Sequence, residues 1–202
     1  MIFSKKDFIF SIITGLIAGT ILWKITVFLN VSTFWGFSFG WLILLVPILW
    51  ILGVNLGYFL GRWMPFFNQF GKFSVIGFTN AMVDFGVLNY LIAASEISSG
   101  IFYSVFKSVS FIVAMVHSYF WNKHWSFEAG ESGNGKTEFA KFGAVSIISF
   151  VINVGVASIV VNWISPVLGF TSNEWANIGA VVGAAIALTF SFIGFKVMVF
   201  KK

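Results

Sequence analysis

The sequence predicts an all-α integral membrane protein of six transmembrane helices, an N-terminal hairpin followed by two parallel helical-hairpin repeats. Three observations carry that prediction. Hydrophobic residues fill 58% of the 202 positions and charged residues only 9%, where a soluble domain is about a quarter charged. The apolar residues gather in runs of the length that crosses a hydrocarbon core. The scarce basic residues fall at alternate ends of those runs, as the positive-inside bias requires.

The runs cover residues 8–29, 37–60, 73–94, 102–122, 142–164 and 175–195. The first is followed by further spans and lacks a small-residue cleavage site, which excludes a removable signal peptide. Gly15-xxx-Gly19 in the first run, Gly53-xxx-Gly57-xxx-Gly61 in the second and Gly179-xxx-Gly183 in the sixth mark close helix approaches. Small residues four apart let helices meet in lipid, where no hydrophobic drive brings them together. These stripes read as internal packing, with a dimer or partner seam as the alternative.

The third to sixth runs repeat a pattern. Phe70-Gly-Lys72-Phe73 opens the third and Phe139-Ala-Lys141-Phe142 the fifth, and Asp84 and Asn153 each follow eleven residues later. Lys123 precedes Phe127 as Lys196 precedes Phe200, with Ser118 and Ser191 in register. Two crossings per copy give both copies the same orientation, so the repeat axis runs along the membrane normal. The expected organisation is an additional hairpin over 1–66 and a four-helix domain over 67–202, with repeats 70–127 and 139–200.

The net charge of +5 is not a nucleic-acid signal. Lys5, Lys6, Arg62, Lys72, Lys123, Lys136, Lys141, Lys196, Lys201 and Lys202 share one side, and the opposite loops carry Glu96 and Glu174. This puts both termini in the cytoplasm and makes the chain a multi-pass protein of the cytoplasmic (inner) membrane. The basic rim suits anionic headgroups. Trp35, Trp41, Trp63, Trp121, Trp125, Trp163 and Trp175 lie near run ends, as an interfacial belt predicts.

Cysteine is absent, which excludes disulfides and thiolate chemistry. His117 and His124 have no Asp, Glu or Cys set around them, so no metal site and no cofactor are expected. Residues 130–137 read GESGNGKT, a residue-for-residue match to a phosphate-binding loop. That loop works only between a strand and a helix in a sheet domain. Here it lies between two membrane runs and reads as a flexible linker.

Val75-Ile-Gly77-x-x-Asn80-x-x-x-Asp84, followed by Phe120-x-Asn122-Lys123-x-Trp125-Ser126-Phe127, resembles the GtrA-like family of small four-span membrane proteins. The resemblance runs from Phe70 to Lys202. The N-terminal hairpin departs from the four-span pattern, and Phe195-Lys196 replaces Asn122-Lys123 in the second repeat. The resemblance implies a non-enzymatic protein of cell-envelope polysaccharide or teichoic-acid glycosylation, which translocates polyprenyl-phosphate-linked sugars. A non-catalytic subunit that assists a polyprenyl-phosphate glycosyltransferase is the alternative. The implied partners are that lipid, the membrane, a glycosyltransferase and further copies of the chain, with no nucleic acid. Drug–proton exchange fits less well, since dual-topology exporters lack so consistent an orientation bias.

Asp84 is the most informative single residue, because a carboxylate at the bilayer centre is costly. At about 1.5 Å per residue, Asp84 lies roughly 18 Å and Lys107 roughly 22 Å from the cytoplasmic ends of their helices. Their pairing has two readings: an ion pair that fixes helix register, or a site where a lipid phosphate competes for Lys107. Asn80, one turn before Asp84, shares its face. Asn122 and Lys123 sit at the cytoplasmic headgroups, where Lys123 either snorkels or captures a phosphate or sugar with Asn122. Lys196 would complete a two-sided clamp. His117 reads as a packing residue or as a group that couples transport to protons.

Overall fold

The computed structural model describes residues 3–31, 33–34, 36–126 and 135–198, with the side chains of 34, 135–142 and 191–198 excepted. Among them are the helices α1 (Lys5–Phe28), α2 (Leu42–Leu60), α3 (Phe66–Ser95), α4 (Gly100–Trp121), α5 (Gly135–Trp163) and α6 (Ser172–Met198). All but α6 contain a described stretch long and apolar enough to cross a membrane. The protein is therefore a multi-pass helical membrane protein.

Helix starts follow from local chemistry. Ser4 and Asp7 form a capping box at α1: the Asp7 amide donates to Ser4 Oγ, and the Ser4 amide donates to Asp7 Oδ2. This satisfies two of the backbone donors that a helix start leaves open. Thr171 and Glu174 repeat the device at α6. Two details differ from the sequence expectation. Residues 37–38 belong to a two-stranded hairpin, β1 (Thr33–Phe34) with antiparallel β2 (Phe37–Ser38), and a 3₁₀ turn, Phe39–Trp41, leads into α2. The linker is also shorter than expected, because α4 continues as a π-helical turn, Asn122–Ser126, and α5 already begins at Gly135. Residues 127–134, most of the GESGNGKT motif, lie outside the described residues.

The chain forms two compact units, Met1–Gly86 with Val113–Gly130, and Val87–Ile112 with Glu131–Lys202. In the first, the glycine stripes do the packing. A Cβ on Gly15 would overlap the Pro47 backbone, and one on Gly19 would overlap the Leu42 carbonyl, so α1 and α2 lie backbone to backbone. Gly57 meets Gly71 in the same way, joining α2 to α3. In the second unit, Gly179 and Gly183 admit Ala157 and Asn153 of α5 against α6. The stripes thus serve internal helix contacts.

Both units are apolar outward. Leu44 and Ile101 are 71% and 73% exposed, whereas Asp7, Lys72, Asp84, Lys107 and Asn153 are buried. Lipid solvates the first group, and only protein partners can satisfy the second.

Candidate functional site

Asp84 lies on the apolar 30-residue α3 and is only 4% exposed. Asn80, one turn before it, is half-buried, and its amide oxygen has no hydrogen-bond partner among the described residues. Thr79 is engaged from both sides: it donates to the Val75 carbonyl at 2.8 Å and accepts from Trp50 Nε1 at 3.0 Å. Trp50 of α2 thereby ties that helix to α3. Lys107 is fully buried on α4 and belongs to the second unit, whereas Asp84 belongs to the first. Asn153, the register counterpart of Asp84, is also buried, and its amide oxygen has no hydrogen-bond partner among the described residues.

The residues expected at the headgroups divide. Lys123 is exposed, its ammonium 5.7 Å from the centre of the Tyr119 ring, as a snorkelling lysine would be. Asn122 is instead buried, and its Nδ2 donates to the Ser118 carbonyl at 2.9 Å and to Ser118 Oγ at 3.1 Å. The π-helical turn carries it inward, away from lipid. His117 is half-buried beside Trp121, with neither ring nitrogen partnered among the described residues. The side chain of Lys196 lies outside the described residues.

A second polar centre is absent from the sequence expectations. Asp7, 1% exposed, accepts from five donors contributed by four segments of the first unit. Trp125 Nε1 donates to Oδ1 at 2.9 Å, and Lys72 Nζ lies 3.0 Å from the same oxygen. Tyr58 donates its hydroxyl to Oδ2 at 3.0 Å, and the Ser4 amide and hydroxyl reach Oδ2 at 2.9 and 2.8 Å. The Lys72 ammonium also stands over the Tyr58 ring, 5.6 Å from its centre. Around this cradle packs an aromatic core, with Phe10 edge-on to both Trp121 and Trp125.

These positions correct two readings. Lys72 was expected on the basic rim but is only 7% exposed, because its charge is met by a carboxylate rather than by headgroups. Trp121, Trp125 and Trp175 were expected in the interfacial belt but are buried, while Trp63 and Trp163 remain outward. Trp125 and Trp175 each spend the indole N–H on a protein acceptor. The signal for the missed centre was present: Ser4-x-x-Asp7 before an apolar run is the capping-box pattern, and Asp7 is an acid set among Lys5 and Lys6.

The family described as "GtrA/DPMS, transmembrane domain" matches residues 72–201, well over half of the chain. The chain belongs to the GtrA family. Within the chain, Lys72 and Trp125 fall inside the GtrA match, whereas Ser4, Asp7 and Tyr58 fall in the hairpin that precedes it. The chain is similar to "Uncharacterized membrane protein YngA" of Bacillus subtilis (strain 168), with 32% identity over 77 residues. That alignment covers 38% of this chain and 48% of the relative, about half of the relative's length. No solved structure matches the chain.

Proposed function

We propose that this GtrA-family protein translocates a polyprenyl-phosphate-linked monosaccharide across the cytoplasmic membrane, for cell-envelope polysaccharide or teichoic-acid glycosylation. One observation carries the reading: Asp84, a carboxylate sequestered inside an apolar membrane helix, with an Asn80 amide oxygen one turn away that has no partner among the described residues. An ionisable residue at such depth marks a transport path by default. In this reading α6 crosses as well, both termini face the cytoplasm, and α3–α6 form two parallel hairpin repeats. Asn80 and Asp84 line the path of the sugar-phosphate head while the prenyl tail stays in lipid. Lys123 gathers the phosphate at the headgroups and His117 is the proton-coupling candidate, while Lys107 and Lys196 of the other unit are separate candidates for a phosphate contact. No catalytic step is assigned to any residue.

The family's description as a transmembrane domain favours a second reading, a non-catalytic membrane subunit for a polyprenyl-phosphate glycosyltransferase. The glycine stripes are occupied internally, so docking would fall to the outward apolar faces.

Transbilayer movement of a labelled polyprenyl-phosphate sugar in proteoliposomes containing only this protein separates the two. Movement faster than in protein-free vesicles, lost in Asp84→Asn at equal reconstitution, is the expected result. No acceleration with any of several sugars, together with co-purification of a glycosyltransferase, would replace the carrier with the subunit.

A further inference from the structure

We propose that Lys72, Trp125 and Tyr58 form a binding site for a phosphate-class oxyanion, and that Asp7 is its built-in competing occupant. The ammonium, the indole N–H and the phenol come from α3, the π-helical turn after α4, and α2, and all three converge on one pair of anionic oxygens. Lys72 is nearly sealed from solvent, and a buried ammonium requires an anion beside it. The cation and the indole belong to the GtrA match, but the anion is delivered from outside it, by the first turn of the added hairpin. The hairpin therefore supplies internally a group that the matched region holds no part of at this place.

A second observation sets the class of ligand. Ser11, one turn beyond Asp7 on the same helix face, is fully buried, and Ser126 beside Trp125 is 4% exposed. Neither hydroxyl oxygen has a hydrogen-bond partner among the described residues. The Asp7 carboxylate already takes five donors, so these two hydroxyls, one a helical turn from Asp7 and one on the residue after Trp125, are donors it cannot also serve. A phosphate group, with its additional oxygens, offers acceptors for them. The chemistry is common to a lipid phosphate headgroup and to free phosphate. Either one displaces Asp7 by taking over Lys72, Tyr58 and Trp125 when the first turn of α1 releases them.

The inference stands apart from transport, because binding is measured in detergent with no bilayer to cross. Full-length protein in uncharged micelles is titrated with sodium phosphate and, separately, with dodecyl phosphate. Phosphorus NMR line broadening and the shift in unfolding temperature report binding. Asp7→Asn removes the competing charge at nearly constant shape, so affinity is expected to rise by roughly tenfold or more, the competing state no longer taxing the site. Asp7→Asn with Lys72→Gln loses that gain. Ser4→Ala, which removes the hydroxyl's bond to the Asp7 carboxylate together with its cap on the Asp7 amide and keeps every charge, moves affinity the same way by a smaller factor and decides the question if Asp7→Asn does not fold. A response to both probes assigns the site to phosphate as such; a response to dodecyl phosphate alone assigns it to a lipid headgroup. The proposal is overturned if folded Asp7→Asn and Ser4→Ala bind no more tightly than the wild type. Equal affinity in Asp7→Asn with and without Lys72→Gln overturns it too.

Discussion

Each unit has a buried polar fastening, and the two are built on opposite principles. In the first, one carboxylate takes an ammonium, an indole, a phenol and a serine. In the second, Asn89 and Asn177 exchange amide hydrogen bonds at 2.7 Å in both directions, and Tyr103 donates to the Ala176 carbonyl at 2.9 Å. The amide pair is neutral and self-complementary, so it joins two helices without burying a charge. The Asp7 centre buries two opposite charges, which costs several kcal/mol per ion before their attraction and hydrogen bonds are counted. A fold that needed only a fastening would be served by the cheaper device. The charged one carries a liability that makes sense where an anion is to be exchanged.

Four substitutions, in two pairs, test that contrast, in order of expected effect. Asp7→Leu leaves Lys72 buried without its carboxylate and should lower stability by about 3–5 kcal/mol. Adding Lys72→Met should recover most of that loss, since paired apolar replacements of a buried ion pair are often near neutral. Thermal unfolding in detergent reads both, and an Asp7→Leu protein as stable as the wild type would break the contrast. Asn89→Leu strands one amide of Asn177 and should cost less, about 0.6–2 kcal/mol, the range for hydrogen bonds between membrane helices. Asn177→Leu added to it should restore part of the loss, and a double-mutant cycle measures how much.

The smallest effect is expected at Glu174, a partly exposed residue in the first turn of α6. Hydrogen bonds from the Thr171 backbone N–H, and then from its hydroxyl, hold the Glu174 carboxyl below the usual range. A lowered carboxylate stabilises the fold above its ordinary value, and that contribution fades as pH falls through the lowered one. Amide protection in the first turn of α6, compared with Glu174→Gln at each pH, should therefore converge in acid. A constant difference between the two proteins across that window would remove the cap from the account.

Much of the architecture was legible because lipid makes composition speak directly. The helices formed where the apolar runs lie, and α1, α4 and α5 begin or end within a few residues of them except at Gly135. The motif around Asn80, Asp84 and Asn122-Lys123 pointed to the family that matches residues 72–201. Legibility failed at the helix ends. Hydropathy cannot distinguish a lysine or tryptophan at the interface from one folded inward onto a partner, since both lie at the edge of an apolar run. Lys72, Trp125 and Asn122 were misread for that one reason, and Asp7 went unnoticed just outside its run.

By itself the sequence determined that this is a multi-pass helical membrane protein of the GtrA family, and that Asp84 lies deep within a span. Those properties depend on residue type and spacing along one helix. Tertiary structure alone decided that Asp7 meets Lys72, Tyr58 and Trp125, partners 65, 51 and 118 positions away in the chain (72 − 7, 58 − 7 and 125 − 7). No local periodicity encodes such a convergence. It arises because buried charges must find one another wherever glycine-lined helices bring them close.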